Sequence, residues 1–181
     1  MIAITERAAG LLRRLMAKKV EDRPADAFVL LKEMLSAGML LETDTSGHAI
    51  CDLLAAAGHL VTGRAIVRDQ PAQVTAQVRD ALADPATHMV ITTGGTGITS
   101  RDGTFEAVDA LFDKRLPGFG ELFRMLSFQD IGPAAMMSRA TAGTIGRKAV
   151  FVLPGSEKAV RLALTRLVVP ELGHVVQQLR K

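Results

Sequence analysis

Short apolar runs of strand length alternate along this chain with segments in which apolar residues recur every three or four positions. The runs lie at 27–31, 60–67, 88–93 and 148–153, and they are apolar on both faces. Strands of that kind are typical of parallel sheets that carry helices on both sides. The alternation therefore predicts an α/β fold built on a mostly parallel sheet.

Helices are predicted in the intervals between these runs and after the last one. The predicted segments are 48–58, 72–83, the stretch that follows the turn at 94–97 and extends to Phe112, 118–128, and the chain from Glu157 onwards. Gly58 is placed to end the first helix, and Pro170 is expected to interrupt the last one. We find no linker or internal repeat, which indicates a single core.

Residues 1–26 are predicted to be a basic amphipathic extension of a domain that spans residues 27–181. Apolar residues recur at helical spacing in the extension, and basic residues occupy its other faces. We expect a helix docked on the domain or on another subunit. A membrane-surface anchor is the less favoured alternative, because the apolar stripe lacks aromatic residues.

Composition narrows the functional class. The 181 residues are 48% hydrophobic, which is enough for one core. The 22 basic and 19 acidic residues are mixed along the chain and Trp and Tyr are absent, so we expect no nucleic-acid partner. The single cysteine excludes an intramolecular disulfide and fits a reducing compartment. No apolar run approaches the roughly 18 residues of a membrane span, so we expect no membrane contact and a cytoplasmic location.

A glycine-dense turn follows the run at 88–93. Gly94, Gly95 and Gly97 leave backbone N–H groups without side-chain cover, which suits an anion, and Thr104 is expected to cap the helix that follows. Asp102 places a carboxylate beside this turn. The turn lacks the lysine of a P-loop and the spacing of a dinucleotide-binding motif, and tight packing between strand and helix is an alternative explanation.

Two further turns are predicted at the same edge of the sheet, where ligands bind beyond the carboxyl ends of parallel strands. Asp69 follows the second run, and Pro154, Gly155 and Ser156 follow the last one. Each feature alone has an ordinary explanation, as a turn residue or as helix-capping chemistry. Two carboxylates and two glycine turns at one edge together indicate a phosphorylated ligand with a divalent metal.

The remaining polar residues are weaker candidates. The four histidines lie without metal-ligand spacing, and Cys51 is expected to be a small apolar residue on a buried helix face. Ser138 and Arg139 precede a run of small residues, and that arrangement suits close approach to a ligand.

Five segments of the chain stand out by their residues and their order. They are "TDTSG" at 43–47, "TTGGTGITSRDGTFEA" at 92–107, "GFGELFRMLSFQDIG" at 118–132, "SRATAG" at 138–143 and "LPGS" at 153–156. Together they resemble the MoaB/Mog family of molybdenum-cofactor biosynthesis proteins, and the third segment is more similar to the MoaB branch. The resemblance covers residues 43–181.

This resemblance implies a molybdopterin-binding fold, a three-layer α/β/α domain assembled as a homotrimer or homohexamer. Active members of the family join AMP from Mg-ATP to the terminal phosphate of molybdopterin, and a MoeA-type molybdenum insertase receives the product. By position, Asp69 and Asp102 match the two acidic residues associated with activity, and they are the expected Mg²⁺ ligands. The ligand loop matches Gly94, Gly95, Thr96 and Gly97, and the pterin pocket matches Ser138, Pro154, Gly155 and Ser156. Thr104, just beyond the loop, is also expected to be a substrate-binding residue.

Departures from the family pattern leave a second function open. Residues 32–42 read "KEMLSAGMLLE", which is apolar where relatives carry a polar Ser-Asp turn, and Gly103 and Phe105 stand where relatives commonly have Val and Pro. The enzyme is favoured because both aspartates and the glycine loop are present. The alternative is a non-catalytic carrier or scaffold that binds molybdopterin. A generic nucleotide-dependent hydrolase is less favoured, because the whole set of motifs matches the cofactor family.

Overall fold

The computed structural model describes residues 26–32 and 44–181. The predicted N-terminal helix and the unusual segment at 32–42 lie outside the described residues, apart from Lys32 at the end of a strand. Within the described part of the chain, every helix is too short or too polar to cross a membrane.

Strands and helices alternate as the sequence predicts. The first half of the chain contains β1 (Asp26–Lys32), α1 (Thr45–Ala56), β2 (Leu60–Val67), α2 (Pro71–Ala83), β3 (Met89–Thr93) and α3 (Thr104–Asp109). The second half contains β4 (Lys114–Arg115), α4 (Pro117–Ile131), a 3₁₀ segment (Gly132–Met137), β5 (Thr141–Ile145), β6 (Lys148–Leu153), α5 (Glu157–Ala163), a π-helical segment (Leu164–Val168) and α6 (Val169–Arg180).

The six strands form one sheet in the order β2-β1-β3-β6-β5-β4. The pairs β1·β2, β1·β3 and β3·β6 are parallel, and the pairs β5·β6 and β4·β5 are antiparallel. The predicted α/β fold with a mostly parallel sheet is therefore confirmed, with an antiparallel edge that the sequence did not predict. The hairpin of β5 and β6 turns at Gly146, whose φ of 57° is in the left-handed region that glycine favours.

Helices cover both faces of the sheet. Alternate residues of β3 point to opposite sides, with Met89 and Ile91 in one buried cluster and Val90 in the other. The first cluster includes residues of α1, α4, α5 and α6, and the second includes residues of α2 and α3. The expected three-layer α/β/α architecture follows from this division of the core.

Two predictions about helix ends need correction. Gly58 does end the first helix, with a φ of 83° just beyond it. Pro170 does not interrupt the last helix, because it lies in the first turn of α6, where its missing N–H is tolerated, and the π-helical segment at 164–168 widens the turn before it. The helix after the glycine turn ends at Asp109 and does not extend to Phe112 as predicted.

Candidate functional site

The parallel strands end at one edge of the sheet, and that edge carries the candidate site. The chain leaves β1 for a neighbour on one side, β2, and leaves β3 for a neighbour on the other side, β6. A crevice outside the carboxyl ends of strands at such a switch in direction is where open α/β sheets bind their ligands. Helices α1, α3 and α5 each begin at this edge.

The glycine turn at 94–97 is in direct contact with the turn at 153–156. Gly94 and Gly95 have φ values of 89° and 64°, and the Gly94 N–H donates to the Leu153 carbonyl oxygen at 3.0 Å. A Cβ on Gly155 would lie 3.2 Å from the Gly94 Cα, tighter than most real contacts. The Thr93 hydroxyl donates to the Pro154 carbonyl oxygen at 2.8 Å. The structure therefore brings the two predicted glycine turns together.

The start of α1 joins these two turns through Ser46. The Ser46 hydroxyl donates to the Gly155 carbonyl oxygen at 2.8 Å, and Asp44 caps the helix by accepting from the Gly47 N–H at 2.8 Å. The other oxygen of Asp44 accepts from Arg64 on β2 at 2.6 Å. Asp44, Ser46 and Gly47 belong to the segment "TDTSG", for which the sequence predicted no individual role. An Asp immediately before an apolar helix was the available signal.

Asp102 lies directly against the glycine turn. Its Oδ2 accepts from the Thr99 N–H at 3.1 Å and from the Thr99 hydroxyl at 2.6 Å. A Cβ on Gly97 would lie 2.5 Å from the same oxygen, a distance that real Cβ contacts essentially never show. A side chain at position 97 would therefore displace the Asp102 carboxylate from its present position.

Asp69 reaches the same region through Thr104. The Thr104 hydroxyl, which is buried, donates to Asp69 Oδ1 at 3.1 Å. The prediction that Thr104 caps α3 is wrong: the cap position belongs to Gly103, which has no side chain to cap with, and the Thr104 hydroxyl donates to Asp69 instead. Thr104 is the first residue of the helix, so it ties Asp69 to the turn that carries Asp102.

The three predicted site residues after β6 all have structural roles, and two of them are also exposed. Pro154 and Gly155 use their carbonyl oxygens to hold the turns together. The Ser156 hydroxyl oxygen accepts from the Ala159 N–H at 3.3 Å, so Ser156 is the predicted cap of α5. Gly155 and Ser156 are exposed, and the mouth of the site is formed there.

Arg139 packs against the glycine turn on the side of its carbonyl groups. Its Nε donates to the Thr96 carbonyl oxygen at 3.0 Å and its Nη2 donates to the Gly97 carbonyl oxygen at 2.6 Å. The guanidinium also pairs with Glu106 and lies 4.8 Å from the centre of the Phe105 ring. The hydrogen bond from Arg139 lowers the pKa of the Glu106 carboxyl group.

Ser138, the neighbour of Arg139 in the chain, lines a cavity of about 490 Å³. The walls of the cavity include Phe105, Met136 and three arginines at 115, 124 and 139. Carboxylates at 109 and 121 are also part of the lining. The volume lies within the roughly 300–1,000 Å³ of small-molecule sites.

The N–H groups of residues 95–98 donate to no acceptor within residues 26–32 and 44–181. A row of such donors in a glycine turn forms a concavity for an anion. Two carboxylates, those of Asp69 and Asp102, lie near this row of donors. Carboxylates would repel an anion that binds alone, but they suit an anion that arrives with a metal ion.

The weaker candidates, Cys51 and the histidines, have ordinary structural environments. Cys51 is half-buried against the core, and burial raises the pKa of its thiol, as expected for an inert residue. His174 pairs with Glu171 on the surface of α6, and His88 contacts Arg180. Among the described residues, no group of three or more His, Cys, Asp and Glu side chains is arranged to hold a metal ion.

Comparison with known proteins gives one consistent result. The family described as "Probable molybdopterin binding domain" matches residues 32–174. The chain is 52% identical over 141 residues to molybdenum cofactor biosynthesis protein B of Bacillus cereus, covering 77% of this chain and 83% of that protein. The corresponding protein of Bacillus subtilis is 51% identical over 141 residues, with the same coverage.

Solved structures agree with these relatives. A crystal structure of a molybdenum cofactor biosynthesis protein B superposes with a TM-score of 0.83 at 46% identity, covering 87% of this chain and 97% of that one. The tungsten cofactor synthesizing protein MoaB of Pyrococcus furiosus superposes with a TM-score of 0.79 at 35% identity, covering 87% and 98%.

Proposed function

Because this chain belongs to the MoaB branch of the molybdopterin-binding domain family and so to molybdenum cofactor biosynthesis, we propose that it is a molybdopterin adenylyltransferase. It joins AMP from Mg-ATP to the terminal phosphate of molybdopterin and releases pyrophosphate. The observation that carries the proposal is the row of backbone donors at 95–98 beside Asp69 and Asp102. Donors for phosphate and carboxylates for its metal ion are the two requirements of this reaction.

The reaction brings together two anions, so its main barrier is electrostatic. The molybdopterin phosphate attacks the α-phosphorus of ATP, the bond from that phosphorus to the β-phosphate oxygen breaks, and pyrophosphate leaves. Fixed N–H groups of the glycine turn stabilise the charge that develops on the phosphate oxygens. A phosphate nucleophile is largely ionised near neutral pH, so Asp69 and Asp102 are proposed to orient groups rather than to act as strong bases.

The carboxylates suit a Mg²⁺ ion that enters as part of the substrate. Mg²⁺ is usually bound through one or two carboxylates together with substrate phosphates, and it keeps several waters. Asp69 and Asp102 supply two carboxylates at the start of α3. This donor set fits a metal ion carried on ATP, whose charge would offset that of the phosphates.

The 490 Å³ cavity is proposed to receive an organic part of the substrate. Ser138 and Arg124 offer polar groups there, and Phe105 and Met136 offer apolar surface. A ring system such as a pterin needs this mixture of flat apolar contact and a few hydrogen bonds. Arg139 lies between the cavity and the glycine turn, since it lines the first and donates to carbonyl oxygens of the second.

The chain is also proposed to self-associate, through a surface of α4 and the segment that follows it. Helix α4 packs Phe119 and Phe123 against the core and yet carries large apolar side chains on its outer side. We call this outer surface, with the adjoining 3₁₀ segment, the apolar face; it consists of Leu122, Met125, Phe128, Ile131, Met136 and Met137. An exposed apolar patch of this kind marks an interaction surface. A homotrimer or homohexamer is the proposed state, with a MoeA-type insertase as the proposed recipient of the product in the cytoplasm.

The second candidate function is a non-catalytic carrier or scaffold for molybdopterin. The sequence observation that favours it is the apolar segment at 32–42, which directly follows β1 at the switch point of the sheet. A carrier would keep the anion-binding turn and lack turnover.

One experiment separates the two functions. Purified protein is incubated with molybdopterin and Mg-ATP, and adenylylated molybdopterin is measured beside molybdopterin binding for the wild type and Asp102→Asn. Turnover that Asp102→Asn reduces by about 100-fold or more supports the enzyme. Binding without turnover in the wild type supports the carrier, and neither binding nor turnover refutes both.

A further inference from the structure

Arg139 makes an unusual set of contacts for a residue between a 3₁₀ segment and a strand. Two of its nitrogens donate to successive carbonyl oxygens, those of Thr96 and Gly97, at 3.0 and 2.6 Å. The same guanidinium reaches the Asp102 carbonyl oxygen at 3.5 Å. Its side chain is only 27% exposed. One side chain therefore holds the last two carbonyl groups of the turn.

The geometry of the peptide bond transmits this contact to the other side of the turn. In a planar trans peptide the C=O of one residue and the N–H of the next point in opposite directions. Holding the Thr96 and Gly97 carbonyl groups toward Arg139 therefore directs the N–H groups of Gly97 and Ile98 away from it. Those two N–H groups belong to the donor row that faces a ligand.

The turn needs such a constraint from outside. Glycines adopt many backbone conformations at little cost, so a turn with three of them does not fix the orientation of its own peptide groups. A rotated peptide would present a carbonyl oxygen to the ligand, and its partial negative charge repels an anion. Arginine suits the task because its planar guanidinium has several donors in a fixed fork and always carries its charge.

We propose that Arg139 is a positioning residue that sets the glycine turn in its anion-binding conformation, acting through the Thr96 and Gly97 carbonyl groups and not by touching the phosphate. The inference rests on the proposed function, because it assigns Arg139 to the same anion site. The ion pair between Arg139 and Glu106 lies at the surface and is not required for this role, since exposed pairs contribute little.

The test compares three variants by the affinity of two probes, inorganic pyrophosphate and Mg-ATP, measured by isothermal titration calorimetry. Arg139→Gln removes the charge and the fork, and we expect about tenfold or greater weakening of both probes. Arg139→Lys keeps the charge but cannot hold two carbonyl groups in one plane, and we expect an intermediate affinity. Glu106→Gln removes only the ion pair, and we expect affinity within about twofold of wild type.

Amide hydrogen exchange supplies a second measurement on the same proteins. With saturating pyrophosphate, the amides of Gly97 and Ile98 should become protected in the wild type and remain unprotected in Arg139→Gln at the same concentration. If Arg139→Gln does not fold, Arg139→Lys decides the question, and wild-type affinity and protection in that variant would refute the role of the fork.

The outcomes separate failure of this inference from failure of the proposed function. If the wild type binds neither probe, the anion site itself is wrong. If the wild type binds and Arg139→Gln binds equally well, the site stands and the role of Arg139 is refuted. Equal weakening by Glu106→Gln and Arg139→Gln would also refute it, because the ion pair would then be the operative contact.

Discussion

Replacing Gly97 by alanine should impair catalysis far more than it impairs folding. The φ of Gly97 is not in the positive range that disfavours alanine, so the backbone accepts a Cβ there. That Cβ would lie 2.5 Å from Asp102 Oδ2 and 3.0 Å from its Cγ. Ordinary contact begins near 3.4 Å, so the carboxylate must move by about 1 Å. A displacement of that size at a reacting group costs about 100-fold in rate.

The cost in stability should be small, because Asp102 is half-buried in a surface turn and its side chain can rotate. Overpacking costs typically about 1–3 kcal/mol in a close-packed core, and we expect about 1 kcal/mol or less in this turn. Gly118→Ala is the matched control, since no atom lies within 4 Å of its added Cβ and it lies in α4. That control should gain about 0.5–1 kcal/mol and keep its rate.

The assay combines the initial rate of adenylylation with urea unfolding on the same preparations. A rate for Gly97→Ala within about threefold of wild type would show that the position of Asp102 does not limit the reaction, and would refute the reasoning. A loss of several kcal/mol in the free energy of unfolding would refute it in another way, because the rate could then no longer be assigned to the carboxylate.

Three further predictions concern stability and assembly. Asp44→Ala should lower the free energy of unfolding by about 3 kcal/mol in urea titrations, because it removes a helix cap and leaves Arg64 without its carboxylate; a loss below about 1 kcal/mol would contradict this. Phe128→Glu should shift the protein toward monomers in sedimentation, and an unchanged state would exclude the apolar face as the interface. Arg139 lowers the pKa of Glu106 below its ordinary value of 4.5, so the melting temperature of wild type should exceed that of Glu106→Gln at neutral pH. This difference in melting temperature should disappear as the pH falls through the lowered pKa, and a difference unchanged by acid would contradict the pairing.

The sequence predicted those parts of the fold that depend on local pattern. Strands β2 and β6 match the predicted runs at 60–67 and 148–153 residue for residue, because their apolar runs are bounded by turn residues. Strand β5 was missed because its small residues carry little strand signal. Gly143 in that strand is small for a tertiary reason: an added Cβ would lie 2.5 Å from the Phe112 ring and 2.7 Å from the Lys114 carbonyl oxygen. Such a constraint is not visible in local composition.

The candidate site divides in the same way. The glycine spacing, the position of Asp69 after β2 and the position of Asp102 in the turn after β3 could be predicted, because parallel strands bring their following turns to one edge. The hydrogen-bond partner of Thr104 could not be predicted in this way, because its hydroxyl donates to Asp69, which lies 35 positions away, instead of capping its own helix. Arg139 was noticed for its neighbours, but its contact with carbonyl groups more than 40 positions away depends on how β5 enters the sheet.

The glycine turn is thus held by three contacts, two of which come from segments distant in the chain. Gly155 packs against Gly94 at its start, Asp102 packs beneath Gly97, and Arg139 holds the carbonyl groups of Thr96 and Gly97. The contacts use the carbonyl groups and the absent Cβ atoms of the turn, and within residues 26–32 and 44–181 the N–H groups of residues 95–98 have no acceptor. A flexible turn would have to lose conformational entropy each time an anion bound. Under the proposed function that ordering is achieved during folding, and the donors are already oriented when the phosphate arrives.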